Sequence, residues 1–353
     1  MEEKCTDAQL LEFWNLLDVT AAAIERAREK ELKQYDLTMV QSKVLISLWL
    51  LDHDPTLGEL SRWLYREQSS TSYIAEQMAA RGSVRKYRDP EKKRVTRIGI
   101  TGKGEAEFNK IASRETLLQV LSVLSHEECL LLRDNLKRIL SQVKSETGIG
   151  QGPAYGQLMV DILMQLYGGK DSNTGIVPDT KIEGINHNHL LLDIIYSYCP
   201  PDQFVAWVYL DQARYSISRA MSLELMRQDL SLIQSKVLSA LTIMPRDPTL
   251  GELSGWLFRE HNSTSEITDR MAAKGLVRKY RDPDEKRLTR VAITEKGKGI
   301  NGEVVRKGNT LKVMSFLTEE ECERIKAILR KLFARATAVA DTAAPDGSGE
   351  QRI

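Results

Sequence analysis

The stretch that decides the fold is RGSVRKYRDPEKKRVTRIGITGKG at Arg81–Gly104, which returns as KGLVRKYRDPDEKRLTRVAITEKG at Lys274–Gly297. In both stretches β-branched residues flank a polar Asp-Pro turn, which is the pattern of a β-hairpin. The glycine ahead of each hairpin suits the left-handed conformation that ends a helix. The two stretches therefore predict a helix followed by a short basic hairpin, twice in one chain.

The hairpin is part of a longer internal repeat. Several segments return 193 positions later, as QSKVL at Gln41–Leu45 does at Gln234–Leu238. The copies align without a gap and span about Leu10–Leu140 and about Gln203–Phe333. Because a fixed internal period defines the architecture of a chain, two copies of one module are predicted.

Each copy combines long terminal helices with shorter ones. Apolar residues recur every three or four positions at both ends of the repeat, which predicts helices that bury one face. Between them Thr38–Leu51 predicts one helix, the capping-box pair Thr56 and Glu59 starts a second, and Ser69–Arg81 predicts a third. Three short helices and a hairpin describe a winged helix-turn-helix. The predicted fold class is mainly α with small β-wings (α+β), with two winged helix-turn-helix domains joined by a helical dimerisation-like core.

The repeat also sets the predicted domain boundaries. Residues 1–145 form the first winged helix module and residues 203–340 form the second. The connector at 146–202 opens on a glycine-rich segment and contains two predicted helices, Ala154–Tyr167 and His189–Tyr198. Residues 341–353 have the composition of a disordered tail.

Composition narrows the function classes. The chain has 353 residues, of which 42% are hydrophobic and 28% are charged, the usual balance of a globular protein. Its net charge of +1 does not indicate a nucleic-acid partner, so any basic surface must be local. No apolar run approaches the roughly 18 residues of a spanning helix, and the first ten residues lack a secretory pattern. We expect a cytoplasmic protein that makes no membrane contact.

The sequence carries no recognisable catalytic or metal-binding motif. Its four cysteines include no C-x-x-C pair, and no phosphate-binding loop, nucleophile elbow or H-E-x-x-H pair occurs. The histidine pair His187 and His189 lacks a third ligand and is interpreted as part of a loop or helix cap. We predict no enzyme activity, no cofactor and no metal site.

The repeated residues resemble those of the MarR family of transcriptional regulators. The resemblance rests on the pattern VRKYRDPxxKRxTRxxITxKG at Val84–Gly104 and Val277–Gly297, on the preceding LGELS segments and on the flanking long helices. Members of this family usually work as homodimers, in which the terminal helices intertwine and two winged domains bind a pseudo-palindrome. The resemblance implies that both halves are fused here as an intramolecular pseudo-dimer whose partner is a double-stranded DNA operator.

The third short helix of each copy is the candidate recognition helix. A helix in the major groove contacts base edges and phosphates with polar side chains near its N-terminus. Ser69, Ser263 and Glu266 have a second interpretation as helix caps, since Ser263 and Glu266 have capping-box spacing. The candidate DNA contacts are Ser70, Thr71, Ser72, Tyr73 and Gln77 in the first copy and Asn262, Ser263, Thr264, Ser265 and Arg270 in the second.

Basic residues are concentrated in both hairpins. The resemblance implies that Arg94 and Arg287 enter the minor groove, where a narrow groove concentrates negative potential. Asp89 and Asp282 are expected to orient that arginine through a charge-assisted contact. A charge run is also typical of a solvated face, but the repeated hairpin favours DNA binding. The predicted wing contacts are Arg85, Lys92, Lys93, Arg94, Arg97, Arg278, Lys286, Arg287 and Arg290.

Regulators that resemble MarR commonly release DNA when a small, often aromatic, ligand binds or when a cysteine is oxidised. Cys129 and Cys322 fit small buried hydrophobes, whereas Cys5 and Cys199 lie ahead of the first helix of each copy. Aromatic residues at helical spacing form either a core or a pocket. The candidate lining residues of an effector pocket are Trp14, Trp63, Trp207 and Trp256.

These patterns predict a sequence-specific DNA-binding transcriptional regulator that acts as a repressor. The two copies differ at Tyr73 and Glu266 and at Gln77 and Arg270, so an imperfect palindrome is expected, with half-site centres about 34–36 Å apart. An alternative is a ligand-binding or protein-interaction protein on the same scaffold without specific DNA binding. A further alternative concerns assembly, in which each copy pairs with the same copy of another chain.

Overall fold

The computed structural model describes residues 3–147 and 201–342, apart from residues 52, 65, 113–114, 258 and 308. The helices predicted at Ala154–Tyr167 and His189–Tyr198 lie outside these residues, as does Cys199. The predicted tail lies outside them too, except for its first two residues, Asp341 and Thr342, which end the last helix.

Between its long first and last helices, each copy places three short helices, one β-hairpin and two further helices after the hairpin. In the first copy the elements are α1 (Asp7–Lys33), α2 (Met39–Leu50), α3 (Leu57–Leu64), α4 (Gln68–Arg81), β1 (Val84–Arg88), β2 (Thr96–Ile100), α5 (Gly102–Ala112), α6 (Glu115–Leu121) and α7 (His126–Thr147). In the second copy they are α8 (Pro201–Met226), α9 (Leu232–Ile243), α10 (Leu250–Leu257), α11 (His261–Ala273), β3 (Val277–Arg281), β4 (Thr289–Ile293), α12 (Glu295–Lys307), α13 (Asn309–Lys312) and α14 (Glu319–Thr342). The predicted fold class is confirmed.

Side-chain caps start the second and third helices. The backbone N–H of Thr56 donates to Glu59 at 2.7 Å, while the N–H of Glu59 donates to the Thr56 hydroxyl at 3.1 Å, so the predicted capping box is confirmed. The second copy repeats it with the same two distances. Thr38 and Gln41 form a further capping box, which the sequence analysis missed, at the start of α2.

The two candidate recognition helices begin before the residues that were interpreted as their caps. α4 begins at Gln68 behind Glu67, and α11 begins at His261 behind Glu260, in each case without a side-chain cap. The prediction that Ser69 or Ser263 caps its helix is therefore wrong. Glu266 lies well inside α11, so its capping-box interpretation is wrong as well.

A close backbone approach positions each hairpin against the element that follows it. Gly82 ends α4 with φ +83, as predicted for a left-handed terminus, and Gly275 follows α11 with φ +69. A Cβ on Gly104, the third residue of α5, would collide with the backbone carbonyl of Ser83, so only glycine fits at this position. The equivalent Gly297 faces the same collision with the carbonyl of Leu276.

Both hairpins are antiparallel and share one register. Val84 pairs with Ile100 and Arg88 with Thr96. The second strand begins at Thr96, because the preceding residues form a turn in which the N–H of Val95 donates to the Lys92 carbonyl at 2.7 Å. Ile98, buried in this strand, donates its N–H to Pro55 at 2.9 Å, which ties the hairpin to the segment ahead of α3.

The described residues form two compact units, each of which contains residues of both copies. The first unit comprises residues 23–138 of the first copy together with residues 201–213 and 325–342. The second unit comprises residues 214–324 together with residues 3–22 and 139–147. In each unit a winged module from one copy is thus combined with terminal-helix segments of the other.

Hydrogen bonds within each unit join the two copies. In the first unit Lys331 of α14 binds Glu128 of α7 at 2.8 Å, and the Gln203 side chain donates to the Leu124 carbonyl at 3.0 Å. In the second unit the Gln9 side chain of α1 donates to Glu319 of α14 at 2.7 Å. In the described part of the chain no helix is both long and apolar enough to cross a membrane.

Candidate nucleic-acid interface

The exposed face of α4 contains part of the predicted contact set. Tyr73 is 62% exposed and Gln77 is also exposed, while Ser70 and Ser72 are half-buried. Thr71 is fully buried, and its hydroxyl donates to the Glu67 carbonyl one turn earlier. The prediction that Thr71 contacts DNA is therefore wrong, because its side chain lies on the face of α4 that packs against the core.

The second copy repeats this division of residues on α11. Asn262 and Arg270 are exposed, and Ser263 and Ser265 are half-buried. Thr264 is fully buried and donates to the Glu260 carbonyl at 3.1 Å, so it too is removed from the contact set. Its hydroxyl completes the backbone hydrogen bonds of the helix instead of facing a groove.

An acidic side chain on each candidate recognition helix binds a lysine on the first strand of the hairpin. Glu76 accepts from Lys86 at 2.9 Å, and Asp269 accepts from Lys279 at 2.7 Å. The hydrogen bond from Lys86 holds the pKa of Glu76 below its usual value. These pairs fix the hairpin to the helix, and they neutralise two of the basic charges of the predicted surface.

The base of the wing is held by Asp89 and Arg97. One carboxylate oxygen of Asp89 accepts the backbone N–H groups of Glu91 and Lys92 at 2.9 and 2.8 Å, and the other accepts the guanidinium of Arg97. The N–H of Lys92, followed by Arg97, holds the pKa of Asp89 below its usual value. Arg97 also donates to the Asp54 carbonyl at 2.7 Å. The predicted partner, Arg94, is therefore wrong.

The second copy has the same arrangement. Asp282 accepts the N–H groups of Asp284 and Glu285, each at 2.8 Å, and pairs with Arg290. The backbone N–H of Glu285 lowers the pKa of Asp282. Arg290 donates in turn to the Asp247 carbonyl at 2.7 Å. Arg97 and Arg290 were predicted as DNA contacts, but their guanidinium groups are bound within the fold.

The wing tips carry exposed basic side chains. Within the described residues, neither Arg94 nor Arg287 has an acidic side chain within ion-pair distance, and both are exposed. Only their backbone carbonyls are engaged, accepting Arg88 and Arg281, each at 3.4 Å. The other exposed basic residues of the tips are Lys92, Lys93 and Lys286.

The predicted contacts Arg85 and Arg278 differ in how far they are engaged. Arg85 binds Asp54 at 2.8 Å, whereas Arg278 approaches the equivalent Asp247 only to 3.9 Å. In the second copy Ala292 replaces Gly99, and a Cβ at Gly99 would lie 2.5 Å from the Asp54 carboxylate and 2.8 Å from Arg85 Nε. The additional methyl group therefore occupies the space that the closer ion pair needs.

Two tyrosines belong to this part of the site, and the sequence analysis missed them. Tyr87 donates its hydroxyl to Asp54 at 2.8 Å, and Tyr280 donates to Asp247 at 2.8 Å. The hydrogen bond to Asp54 raises the pKa of Tyr87. Asp54 and Asp247 begin the repeated segment DPTLGELS, at Asp54–Ser61 and Asp247–Ser254. The repetition of both the acid and the tyrosine was the signal from which this contact could have been predicted.

The four candidate pocket tryptophans have different environments. Trp14 is 4% exposed and belongs to the core of the second unit. Trp63 and Trp256 are half-buried. Trp207, with Phe204 and Arg28, lines a cavity of about 70 Å³ in the first unit. Of the four tryptophans, Trp207 is the one that lines this cavity.

The described cysteines lie away from the wings. Cys129 and Cys322 are buried, in agreement with their interpretation as small hydrophobes. Cys5 is half-buried, and its thiol donates to the Thr318 carbonyl at 3.3 Å. Among the described residues, no cluster of three or more His, Cys, Asp or Glu side chains could hold a metal ion.

Comparisons with known proteins agree with these modules. A family model described as a winged helix DNA-binding domain matches twice, at residues 37–104 and 230–297. A Bacillus subtilis protein described as an uncharacterized HTH-type transcriptional regulator, YsmB, is 32% identical over 126 residues, covering 35% of this chain and 86% of that protein.

Solved structures of similar proteins cover about one module of the chain. The S. aureus MepR–DNA complex is 21% identical, covers 33% of this chain and 88% of its own, and gives a TM-score of 0.31. AbsC of Streptomyces coelicolor, described as a MarR family transcriptional regulator, is 15% identical, covers 35% and 85%, and gives a TM-score of 0.32. By the matched modules and the Bacillus relative, the chain belongs to the HTH-type transcriptional regulators, with two winged helix DNA-binding modules in tandem.

Proposed function

We propose that the chain is a sequence-specific, double-stranded DNA-binding repressor that acts as a single-chain pseudo-dimer on an imperfect palindrome. The observation that carries this proposal is the composition of the two units. Each unit completes a winged module of one copy with terminal-helix segments of the other, which is how a two-fold regulator would be built from a single polypeptide.

A pair of equivalent ion pairs supports pairing within the chain. Asp18 of the first copy binds Lys236 of the second at 2.5 Å, within the second unit. The positions equivalent to them, Asp211 and Lys43, approach to 3.8 Å within the first unit. An isologous two-fold interface uses each contact twice with the roles exchanged, and these two pairs follow that rule.

The proposed DNA contacts follow from what each element exposes. The faces of α4 and α11 present polar and aromatic side chains to base edges in the major groove. The tips of the wings present basic side chains to phosphates or to the adjacent minor groove. The half-site centres would lie about one helical turn, roughly 34–36 Å, apart. A protein bound there would block access to a promoter, hence the proposed repression.

A small effector is a further part of the proposal. The cavity beside Trp207 is lined by apolar side chains together with two acidic and two basic residues, which suits a small aromatic ligand with polar groups; the charged residues are Glu25, Asp211, Arg28 and Lys43. A cavity that binds benzene has a volume of about 150 Å³. The present cavity of about 70 Å³ would therefore have to widen around a ligand.

Binding to genomic fragments, including DNA upstream of the protein's own gene, tests the DNA-binding proposal. We expect selective binding that weakens with salt and in the double variant Arg94→Ala, Arg287→Ala. The matched control is Lys110→Ala with Lys312→Ala, which removes two exposed charges outside the wings and recognition helices. Weak binding that is independent of fragment and of the wing variant would favour the ligand- or protein-interaction alternative.

The mass in solution tests the pseudo-dimer. Light scattering coupled to gel filtration should give a mass near the 40.0 kDa of one chain, alone and bound to one operator. A particle of two chains, with four wings, would instead favour pairing of each copy with another chain.

A further inference from the structure

The same contacts hold the two recognition helices. In both copies a strand lysine binds an acid on the exposed side of the helix, and a threonine after the second strand donates to the glycine carbonyl at the end of the helix, at 2.7 Å each time. These equivalent contacts are Lys86–Glu76 with Lys279–Asp269, and Thr101–Gly82 with Thr294–Gly275. Each module therefore presents equivalent helix positions in the same way, and differences in base preference must come from the side chains.

Gln77 and Arg270 stand at equivalent positions of these helices. Both are exposed, and neither side chain binds another group among the described residues. Thr71, Ala75 and Met78 of the first helix are buried, so Gln77 projects from the side that faces away from the core. The two modules thus present different hydrogen-bonding groups from the same place.

These two side chains match different bases. The NH2 group of a glutamine side chain donates to N7 of adenine and its oxygen accepts from N6–H2, while the guanidinium of arginine donates to both O6 and N7 of guanine. Arginine has no acceptor, so it cannot satisfy the adenine amino group. A site that presents Gln77 therefore favours adenine, and a site that presents Arg270 favours guanine.

A second difference lies one helical turn earlier. Tyr73 is 62% exposed, and its equivalent, Glu266, is also exposed. An aromatic ring suits contact with the thymine methyl group, whereas a carboxylate accepts from the N4 amino group of cytosine and repels phosphates. Four helical residues rise about 6 Å, so along the groove the two positions reach base pairs about two steps apart.

We propose that the two half-sites of the operator carry different bases at these two contacted positions. The half bound by the first copy carries adenine opposite Gln77 and thymine opposite Tyr73. The half bound by the second copy carries guanine opposite Arg270 and cytosine opposite Glu266. This inference rests on the proposed function, and it makes Gln77, Arg270, Tyr73 and Glu266 the residues that determine specificity.

The chain supplies its own exchange variants as a test. The full-length protein, Gln77→Arg and Arg270→Gln are each used to select duplexes from a randomised pool, and binding is then measured on operators that differ only at the contacted base pair. Lys312→Gln is the control, because it removes an exposed positive charge away from the recognition helices. Circular dichroism checks that each variant is folded.

The wild-type protein should select an asymmetric operator, Gln77→Arg an operator with guanine in both halves, and Arg270→Gln one with adenine in both halves. Each protein should bind the operator with its preferred base about 5- to 140-fold more tightly than the operator with the exchanged base, because one bidentate contact contributes about 1–3 kcal/mol. A selected operator that is symmetric at both positions and unchanged in the exchange variants would overturn this inference alone. Failure to select any sequence would overturn the proposed function together with it.

Discussion

Asp89 binds the guanidinium of Arg97, which lies on the second strand of the wing, while Arg94 at the tip remains exposed. The two arginines are three residues apart, yet Arg97 stabilises the base of the hairpin, whereas the side chain of Arg94 is exposed at the tip. The same division separates Arg290 from Arg287 in the second copy. A basic hairpin of this kind thus contains charges that are bound within the fold and exposed charges side by side.

This division predicts different effects for the two arginines. Arg94→Ala combined with Arg287→Ala should leave folding intact and lower the slope of log K against log[salt] by about 1.8, since each phosphate contact contributes about 0.9. Arg97→Ala should instead broaden or shift the wing resonances in an NMR spectrum of the free protein. An unchanged salt slope in the first variant, with wing resonances unchanged in the second, would contradict the assignment.

The stabilisation of the wing turns by Asp89 and Asp282 should be lost only at acidic pH. The pKa of both Asp89 and Asp282 is held below its usual value, first by a backbone N–H of the turn. Their contribution is therefore fully present above the unfolded pKa of about 3.9 and is lost as pH falls through the lower folded pKa. The amide resonances of Lys92 and Glu285 should stay in place from pH 7 down to the unfolded pKa of about 3.9 and move only at lower pH, where the folded carboxyls take up protons. Movement already near pH 6 would refute this cause.

Gly104 should tolerate no side chain, because a Cβ there meets the carbonyl of Ser83. Gly104→Ala is expected to lower the free energy of unfolding by about 1–3 kcal/mol through overpacking. Gly102, two residues earlier, has open space at the Cβ position, so Gly102→Ala should be neutral or stabilise by up to about 1 kcal/mol. Thermal denaturation of both variants makes the comparison, and equal stabilities would argue against the close approach.

The ion pair between Asp18 and Lys236 should couple the copies. The side chains of Asp18 and Lys236 are 12% and 21% exposed, so the pair is intermediate between a surface ion pair and a buried one. Lys236→Glu should therefore lower the free energy of unfolding by roughly 2 kcal/mol. Adding Asp18→Lys should restore much of that loss, because the charges are then exchanged. Chemical denaturation of the single and double variants measures the coupling. Strict additivity would show that the two side chains do not interact.

The repeat made most of the fold predictable, because hydrophobic spacing, capping residues and turn chemistry agreed in both copies. The partner of Asp89 was not predictable, since two arginines lie within reach along the sequence and the choice depends on where the second strand begins. Burial of Thr71 was available from the pattern, because Thr71, Ala75 and Met78 have helical spacing on one face. The caps at Glu67 and Glu260 lack the side-chain signal that sequence reasoning uses.

The mixed composition of the two units has a consequence for how the regulator responds to its own abundance. A homodimer must find a partner, so its assembled fraction rises with concentration, whereas segments of one chain meet at a fixed effective concentration. If the chain acts as the proposed single-chain pseudo-dimer, a single newly made molecule would already be able to bind both half-sites. Under the same proposal, a substitution in one candidate recognition helix would change the preference for one half-site and leave the other unchanged, so the two specificities could evolve separately.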